Sequence, residues 1–444
     1  MMDSHFKSSL KHRGGKRGGR GHLPLRLAAL LILTATAACN SLLDVDLPGN
    51  LTSEDLDNPQ LAETLVLGAQ GDFECAYGSW IYATSAWTTE TQIVDNNRVS
   101  IEMAQRLPEY WTQGGGGGCG GIALYRPLQT ARVQADLALE LVGSFEIDQS
   151  EKDFLMGKAH VYQGFSTQLL AEAHCEVTFD AGPLVSRTAA FERAADNFTS
   201  AIGLLGTVTS GARASEAQYL LNAAHIGRAR ANLNAGALST VVADARFVTD
   251  PDYEFIATFD SEPARRDNPV YININEILRF SIGPMYRGNA PDYDGLRLTG
   301  GVEDPRIPLE HLGLVGYDNL TDVWVQKKYT SRGADMPITS WDEAQLMIAE
   351  VMGGQDAVDI INTLRARHPT LPMFSSADPA EIAAQVQDEK KKELFLEGTR
   401  IGDKLRWNEP WVTGLNQRGE PYNDNATCMP VPYGETLTNP NIGG

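Results

Sequence analysis

The sequence predicts a mainly α protein, a tetratricopeptide-like helical-repeat scaffold with a loop-rich lobe. Three observations predict it. Apolar residues recur at helical spacing over Leu128 to Val142, Phe154 to Ala173, Phe191 to Leu205 and Ala217 to Phe247. Small residues recur inside those stretches, as in Ala159 and Gly164, Ala194 and Ala195, and Ala223, Ala224, Ala229 and Ala231. Small side chains let neighbouring helices approach closely, the habit of stacked helical pairs of roughly 34 residues. Between about Thr249 and Ser340 the pattern turns to Pro, Gly, Asp and Tyr with short extended runs such as Val270 to Ile274, which reads as a loop-rich lobe laid against the helices.

Taken in order, residues 1–38 read as a signal peptide: Lys11, Arg13, Lys16, Arg17, Arg20 and Arg26 precede an apolar run from Leu27 to Leu33 that ends in Ala35, Ala37 and Ala38. The run is about half the roughly 20 apolar residues a spanning helix needs, so no transmembrane helix is expected. Cys39 follows two small residues directly, the ending of a lipobox, and is expected to be lipidated and to become the mature N-terminus. More than one acyl chain gives stable anchoring, at about 0.8 kcal/mol per buried methylene. Asn40, where an Asp would favour inner-membrane retention, permits the outer membrane.

Residues 39–55 read as a lipidated tether. Asp44, Asp46 and Gly49 hint only faintly at a calcium loop, because Pro48 falls where a ligand is wanted. Residues 56–250 are expected to form the helical region with ligand-facing loops, entered by a helix near Asn58 to Gln70. Residues 251–340 form the lobe. Residues 341–444 return to helices at Trp341 to Met352, Asp356 to Arg367 and Pro379 to Gly398, the last with Asp378 as N-cap and Pro379 at its first position, before an irregular Val412 to Gly444.

The formal charge is -20; the first 38 residues carry seven Lys/Arg against one Asp, and removing that +6 leaves -26. Such an acidic body is a poor partner for nucleic acid. Cys75, Cys119, Cys175 and Cys428 are an even set for an oxidising compartment, open to three connectivities. A Cys75–Cys119 bridge is expected, since the two flank one aromatic segment and would hold a glycine-rich loop. Neither a CxxC pair nor a Cys/His cluster with zinc spacing occurs, so no metal site or cofactor is assigned.

The segment between Cys75 and Tyr125 is the candidate binding region. Tyr77, Trp80, Tyr82, Trp87, Tyr110, Trp111 and Tyr125 crowd a stretch rich in Gly, Thr, Asn and Gln. Sugar rings stack on aromatic planes while amides and carboxylates fork to hydroxyls. Trp87 and Trp111, with polar neighbours, are the expected stacking planes, supported by Gln92, Asp95 and Asn96; the bland alternative is that these aromatics are core. Glu389, Glu393 and Glu397 recur every four residues beside Lys392, Arg400 and Arg406, which suits ion pairing that pins the last helix to its neighbours better than a hydrolytic acid pair. Neither a G-x-S-x-G elbow nor an H-E-x-x-H helix is present, and no catalytic residue is assigned.

Several motifs resemble one family. Trp341-Asp-Glu-Ala-Gln-Leu-Met-Ile-Ala-Glu350 with Ile361-Asn362 and Leu364-Arg-Ala-Arg367 resembles the C-terminal pattern of the SusD/RagB lipoproteins. Glu389 to Leu394, Glu397-Gly-Thr-Arg400, Asp403, Arg406-Trp407 and Met429-Pro-Val-Pro432 continue it in order, while Cys39, Leu124-Tyr125-Arg126 and Asp304-Pro-Arg306 match more loosely. Lys390 and Lys391 stand where the family usually has arginines. The resemblance implies a surface-exposed outer-membrane lipoprotein that is not an enzyme. Such a protein hands an oligosaccharide, or in some members a peptide, to a SusC-like TonB-dependent transporter. The helical face from Leu128 to Phe247 is expected to rest on the transporter rim. A protein-binding helical scaffold and a cryptic glycoside hydrolase are the competing readings.

Overall fold

Helix α1 (Ala62–Trp87) runs well past the Gln70 at which the first helix was expected to end. Gly68, Gly71 and Gly78 each cost about 1 kcal/mol of helix propensity relative to alanine, but burial outweighs them. From Phe73 to Trp87 nearly every side chain is covered, the pattern of a helix wrapped on all sides. The computed structural model describes residues 56–107, 124–262, 266–287 and 296–442.

After α2 (Arg98–Ala104), four long helices follow in antiparallel succession, each packed on the next: α3 (Tyr125–Ser144), α4 (Gln149–Ala173), α5 (Arg187–Leu205) and α6 (Ala214–Ala235). Their starts are set locally. The Asp148 side chain accepts from the N–H groups of Ser150 and Glu151 at 3.0 and 3.1 Å, and Ser186 accepts from Ala189 at 3.2 Å. The small residues act as expected. A Cβ at Gly164 would lie 2.7 Å from the Phe198 ring, and Gly227 faces the same ring, so Phe198 of α5 is seated between α4 and α6. The expected single stretch from Ala217 to Phe247 is instead two helices. Gly236 takes a left-handed φ of 80° and ends α6 before the short α7 (Val241–Ala245).

The strands are short, and all but the first three belong to the lobe. In chain order these are β1 (Thr91–Ile93), β2 (Glu176–Val177), β3 (Val185–Ser186), β4 (Glu254–Ala257), β5 (Phe280–Ile282), β6 (Leu298–Thr299), β7 (Val302–Glu303), β8 (Leu309–Val315), β9 (Asp322–Gln326) and β10 (Met336–Ser340). They pair antiparallel as β1–β5, β2–β3, β4–β10, β6–β7 and β8–β9. Val270 to Ile274 is helical rather than extended. The Asn268 side chain caps Tyr271 N at 2.9 Å and Pro269 supplies the first helical residue, and these start signals override the β-branched run.

Helices α8 (Trp341–Met352), α9 (Gly354–Arg365) and α10 (Pro379–Glu393) follow. Asp378 caps α10 as expected, accepting from Ala380 N at 2.8 Å. The helix stops at Glu393 rather than Gly398 because α1 clamps the turn beyond it. Leu396 and Gly398 adopt left-handed φ of 55° and 77°, the Tyr77 hydroxyl donates to Glu397 O at 3.0 Å, and the Trp80 indole donates to Gly398 O at 3.3 Å. A Cβ at Gly398 would meet Trp80 Nε1 at 2.8 Å. Helix α11 (Arg400–Arg406) resumes, and a short α12 (Tyr433–Thr438) interrupts the tail that was expected to be irregular. One hydrophobic core includes Phe73 and Trp87 of α1, Phe165 of α4, Phe280 and Trp324 of the lobe and Met429 of the tail.

Candidate functional site

The site is built where the end of α1 turns into β1. Thr89 adopts a left-handed φ of 65°, which reverses the chain into β1, and β1 pairs with β5 so that Gln92 lies opposite Ser281. Gly283 follows β5 and its N–H meets Glu90 O at 2.7 Å; a side chain there would strike Thr89 O, so only glycine lets the two backbones close.

A cleft of about 500 Å³ opens against this edge. Thr89, Gln92, Pro284 and Met285 form one wall, and Val412, Leu415, Asn416, Gln417 and Tyr422 of the C-terminal segment form the other. Its size falls in the range of small-ligand clefts, largely apolar with a few polar groups. Side chains hold the second wall in place. Gln417 Nε2 donates to Ile93 O at 2.7 Å, and Arg418 Nη1 donates to Asp95 O at 2.7 Å.

The tyrosine plane is set from behind. Arg106 is fully buried, with its guanidinium 4.8 Å from the Tyr422 ring centre and 5.5 Å from that of Trp411, and its Nη2 donates to Val412 O at 2.6 Å. Burial lowers its pKa from the ordinary arginine value. Lys404 lies over the other ring, 4.9 Å from the Trp411 centre. With the Gln92 carboxamide turned so that its oxygen faces Arg287, it accepts from Nη2 at 2.8 Å and Nη1 at 3.2 Å, leaving its N–H group for the cleft.

Three comparisons bear on this architecture. No family profile and no curated protein matches the chain. Solved structures do. A SusD-like carbohydrate binding protein from Bacteroides vulgatus is similar at a TM-score of 0.66 and 13% identity, over 87% of this chain and 97% of that one. A SusD superfamily protein from the same organism is similar at 0.62 and 16%, over 87% and 100%.

The chain has the SusD-like fold.

Surface glycan-binding protein A from Bacteroides fluxus shares it at a TM-score of 0.56 and 13% identity, over 84% of this chain and 96% of that one. The helical-repeat scaffold and the family resemblance in the sequence thus agree with the SusD-like fold. The site residues fare unevenly within it. Trp87 is a correction: it is 0% exposed in the core at the end of α1 and offers no plane to a ligand. Tyr77, Trp80 and Tyr82 are core for the same reason, each turned inward by a helix wrapped on all sides. Gln92 lines the cleft. Asp95 and Asn96 sit beside it as clamps. Asn96 accepts from Arg418 Nη2 at 3.1 Å and donates to Tyr317 O at 2.7 Å, so both ends of its carboxamide are taken, while Asp95 accepts from Asn97 N at 3.1 Å. Trp111, Cys39 and Cys119 lie outside the described residues. Cys75 is disulfide-bonded, and the Cys119 expected to pair with it falls outside that range. A second bridge joins Cys175 to Cys428.

Sequence reasoning missed Trp411, Asn416, Gln417 and Tyr422. The signal was present, since residues 411–422 combine aromatic rings with carboxamides as the upstream segment does. The acids of the expected stripe are bound up in ion pairs. Glu389 meets Arg306 and Arg365, Glu393 meets Arg306 at 3.1 Å, and Glu397 meets Lys328 at 2.5 Å. Among the described residues no carboxylate lines the cleft, and none of the His, Cys, Asp and Glu groupings could hold a metal ion.

Proposed function

We propose that this SusD-like chain is a lipid-anchored outer-membrane protein that binds a glycan in the cleft beside β1 and delivers it to a TonB-dependent transporter. The observation that carries the reading is the cleft itself. Tyr422 presents a ring backed by Arg106, and beside it Gln92 keeps its carboxamide N–H group and Gln417 its carboxamide oxygen, while Asn416 is held by Arg418 and Glu420 and shapes the wall. Stacking on a ring face with forked hydrogen bonds at its rim is how a protein grips a pyranose. The neighbours described as carbohydrate binding and as surface glycan-binding support the same ligand class. A cleft lined without carboxylates favours a binder over a hydrolase, which needs two facing acids.

Isothermal titration of the mature chain with a panel of oligosaccharides tests this. Saturable binding of a glycan, weakened by Tyr422→Ala, is the expected result; a panel without any binder would shift the reading to peptide, for which the apolar Pro284, Met285, Val412 and Leu415 are suited. The anchor and transporter rest on the sequence. Among the described residues no helix is long and apolar enough to cross a membrane, so cargo reaching the far side needs a channel supplied by a partner. Cys39→Ala is expected to release the protein from the membrane fraction. Pull-down from detergent-solubilised membrane is expected to recover a barrel protein, over an interface of at least about 1,200 Å², with the face from Leu128 to Phe247 resting on its rim. Recovery of the chain alone would favour the scaffold.

A further inference from the structure

A second cavity, of about 360 Å³, lies along the first half of α1, far in sequence from the C-terminal wall of the β1 cleft. Leu67, Gly71, Glu74 and Gly78 follow one another at three- and four-residue spacing and so form one stripe of α1. At Gly78 that stripe is pressed onto the lobe: a Cβ there would lie 2.7 Å from Pro269 Cδ. Two turns earlier, at Gly71, a Cβ would meet nothing within 4 Å. Helix and lobe therefore diverge from Gly78 towards Gly71, and the gap is the cavity.

Its polar lining is rich in acceptors. Glu74 is buried, taking Gln70 Nε2 on one carboxylate oxygen at 2.8 Å and the Thr258 hydroxyl on the other at 2.9 Å. That first bond fixes the Gln70 carboxamide with its oxygen pointing away, and this buried oxygen has no hydrogen-bond partner. The Asp267 side chain is 6% exposed; Oδ2 takes Arg332 Nη1 at 3.0 Å, but Oδ1 is buried without a partner. Arg266 does not complete the set. It hydrogen-bonds Thr258 and stands 3.6 Å from Glu74. Arg332 is shared with Glu276. Among the described residues, Glu74, Asp267 and Glu276 against Arg266 and Arg332 leave one negative charge unmatched. Burial alone already pushes the Glu74 carboxyl above its ordinary value.

We propose that this cavity is a second ligand site that takes a protonated primary amine. An ammonium group carries three donors and no acceptor, which fits Gln70 Oε1, Asp267 Oδ1 and the Glu74 carboxylate, and its single charge balances the excess. Leu67, Phe259 and Pro269 supply apolar surface for the frame that bears it. Amino sugars and lysine side chains share this chemistry.

The test is calorimetric titration of the mature chain with D-glucosamine, with Nα-acetyl-lysine amide and with N-acetyl-D-glucosamine, which keeps the ring and loses the charge. Saturable binding of at least one amine, with N-acetyl-D-glucosamine weaker by at least about tenfold, is the expected result; which amine binds tells amino sugar from peptide. Gly71→Leu fills the cavity from a position with open space around it. It should abolish that binding without lowering the melting temperature, and Asp267→Asn should weaken it by at least about tenfold. Tyr422→Ala should leave it unchanged, so failure of the β1 cleft as a glycan site and failure of this one are separately visible. Equal binding of the acetylated sugar, amine binding that survives Gly71→Leu, or absence of binding by both amines at millimolar concentration would each overturn the proposal.

Discussion

Arg406 meets Glu350 fork to fork, with Nε 2.9 Å from Oε1 and Nη2 2.9 Å from Oε2, tying α11 to α8. Lys390 reaches the same carboxylate at 3.0 Å and the Trp407 indole donates to it at 2.8 Å. Charge-assisted bonds of this kind join three helices, α8, α10 and α11, through one carboxylate. Glu350→Gln should therefore destabilise the chain by about 3 to 5 kcal/mol, the cost of leaving buried cations without their partner. A urea-unfolding midpoint that does not move would show the network to be dispensable.

The same carboxylate gives a pH dependence with a definite sign. Although burial acts to raise it, Lys390 and Arg406 hold Glu350 down at about 2, below its ordinary 4.5. A depressed acid contributes stability that is present above its unfolded value and is lost as pH falls through the folded one. Acid unfolding should steepen between about pH 4.5 and 2, and Glu350→Gln should remove that part of the curve.

Glu172 predicts the opposite slope. It lies near the end of α4, buried and bonded to Gln168 Nε2 at 2.9 Å, and burial raises it to about 7. Between its ordinary 4.5 and about 7 the folded state keeps a proton that the unfolded chain has lost, so stability falls as pH rises through that window and levels above it. Glu172→Gln should flatten this decline in a series of melting temperatures from pH 4.5 to 7.5. A decline of unchanged steepness would assign it to other groups.

The Cys175–Cys428 bridge spans 253 residues and holds the tail against the end of α4, beside backbone bonds from Cys175 N to Met429 O at 2.9 Å and Met429 N to Ala173 O at 2.8 Å. Closing so long a loop restricts the unfolded chain, and Cys428→Ser should cost about 5 kcal/mol by loop entropy. Because the tail also carries Asn416, Gln417 and Tyr422, the variant should lose ligand affinity along with stability. Unaltered binding in the variant would show that the tail holds its place without the bridge.

Substitutions at the two aromatic positions should separate site from core. Tyr422→Ala is expected to weaken glycan binding by about 1 to 3 kcal/mol with stability nearly unchanged. Trp87→Ala should do the reverse, removing a fully buried indole at about 3 to 5 kcal/mol of stability. Thermal melts paired with titrations distinguish them.

What the sequence by itself determined is what depends on neighbours along the chain. The periodicity of α3 to α5, the Asp378–Pro379 start of α10 and the small residues around Phe198 act over one or two turns, so they were legible from residue order alone. Burial is different, because it depends on which elements arrive from elsewhere. Trp87 has polar neighbours in sequence, yet the helices and lobe packed around α1 enclose it. Only tertiary structure could join Gln417 to Ile93 across 324 positions, seat Arg106 under Tyr422, or select Cys428 for Cys175. The cleft has one wall from the end of α1 and β1 and another from the last part of the chain. Each wall displays amides and rings in the sequence, but a cleft exists only where folding sets the two a ligand's width apart.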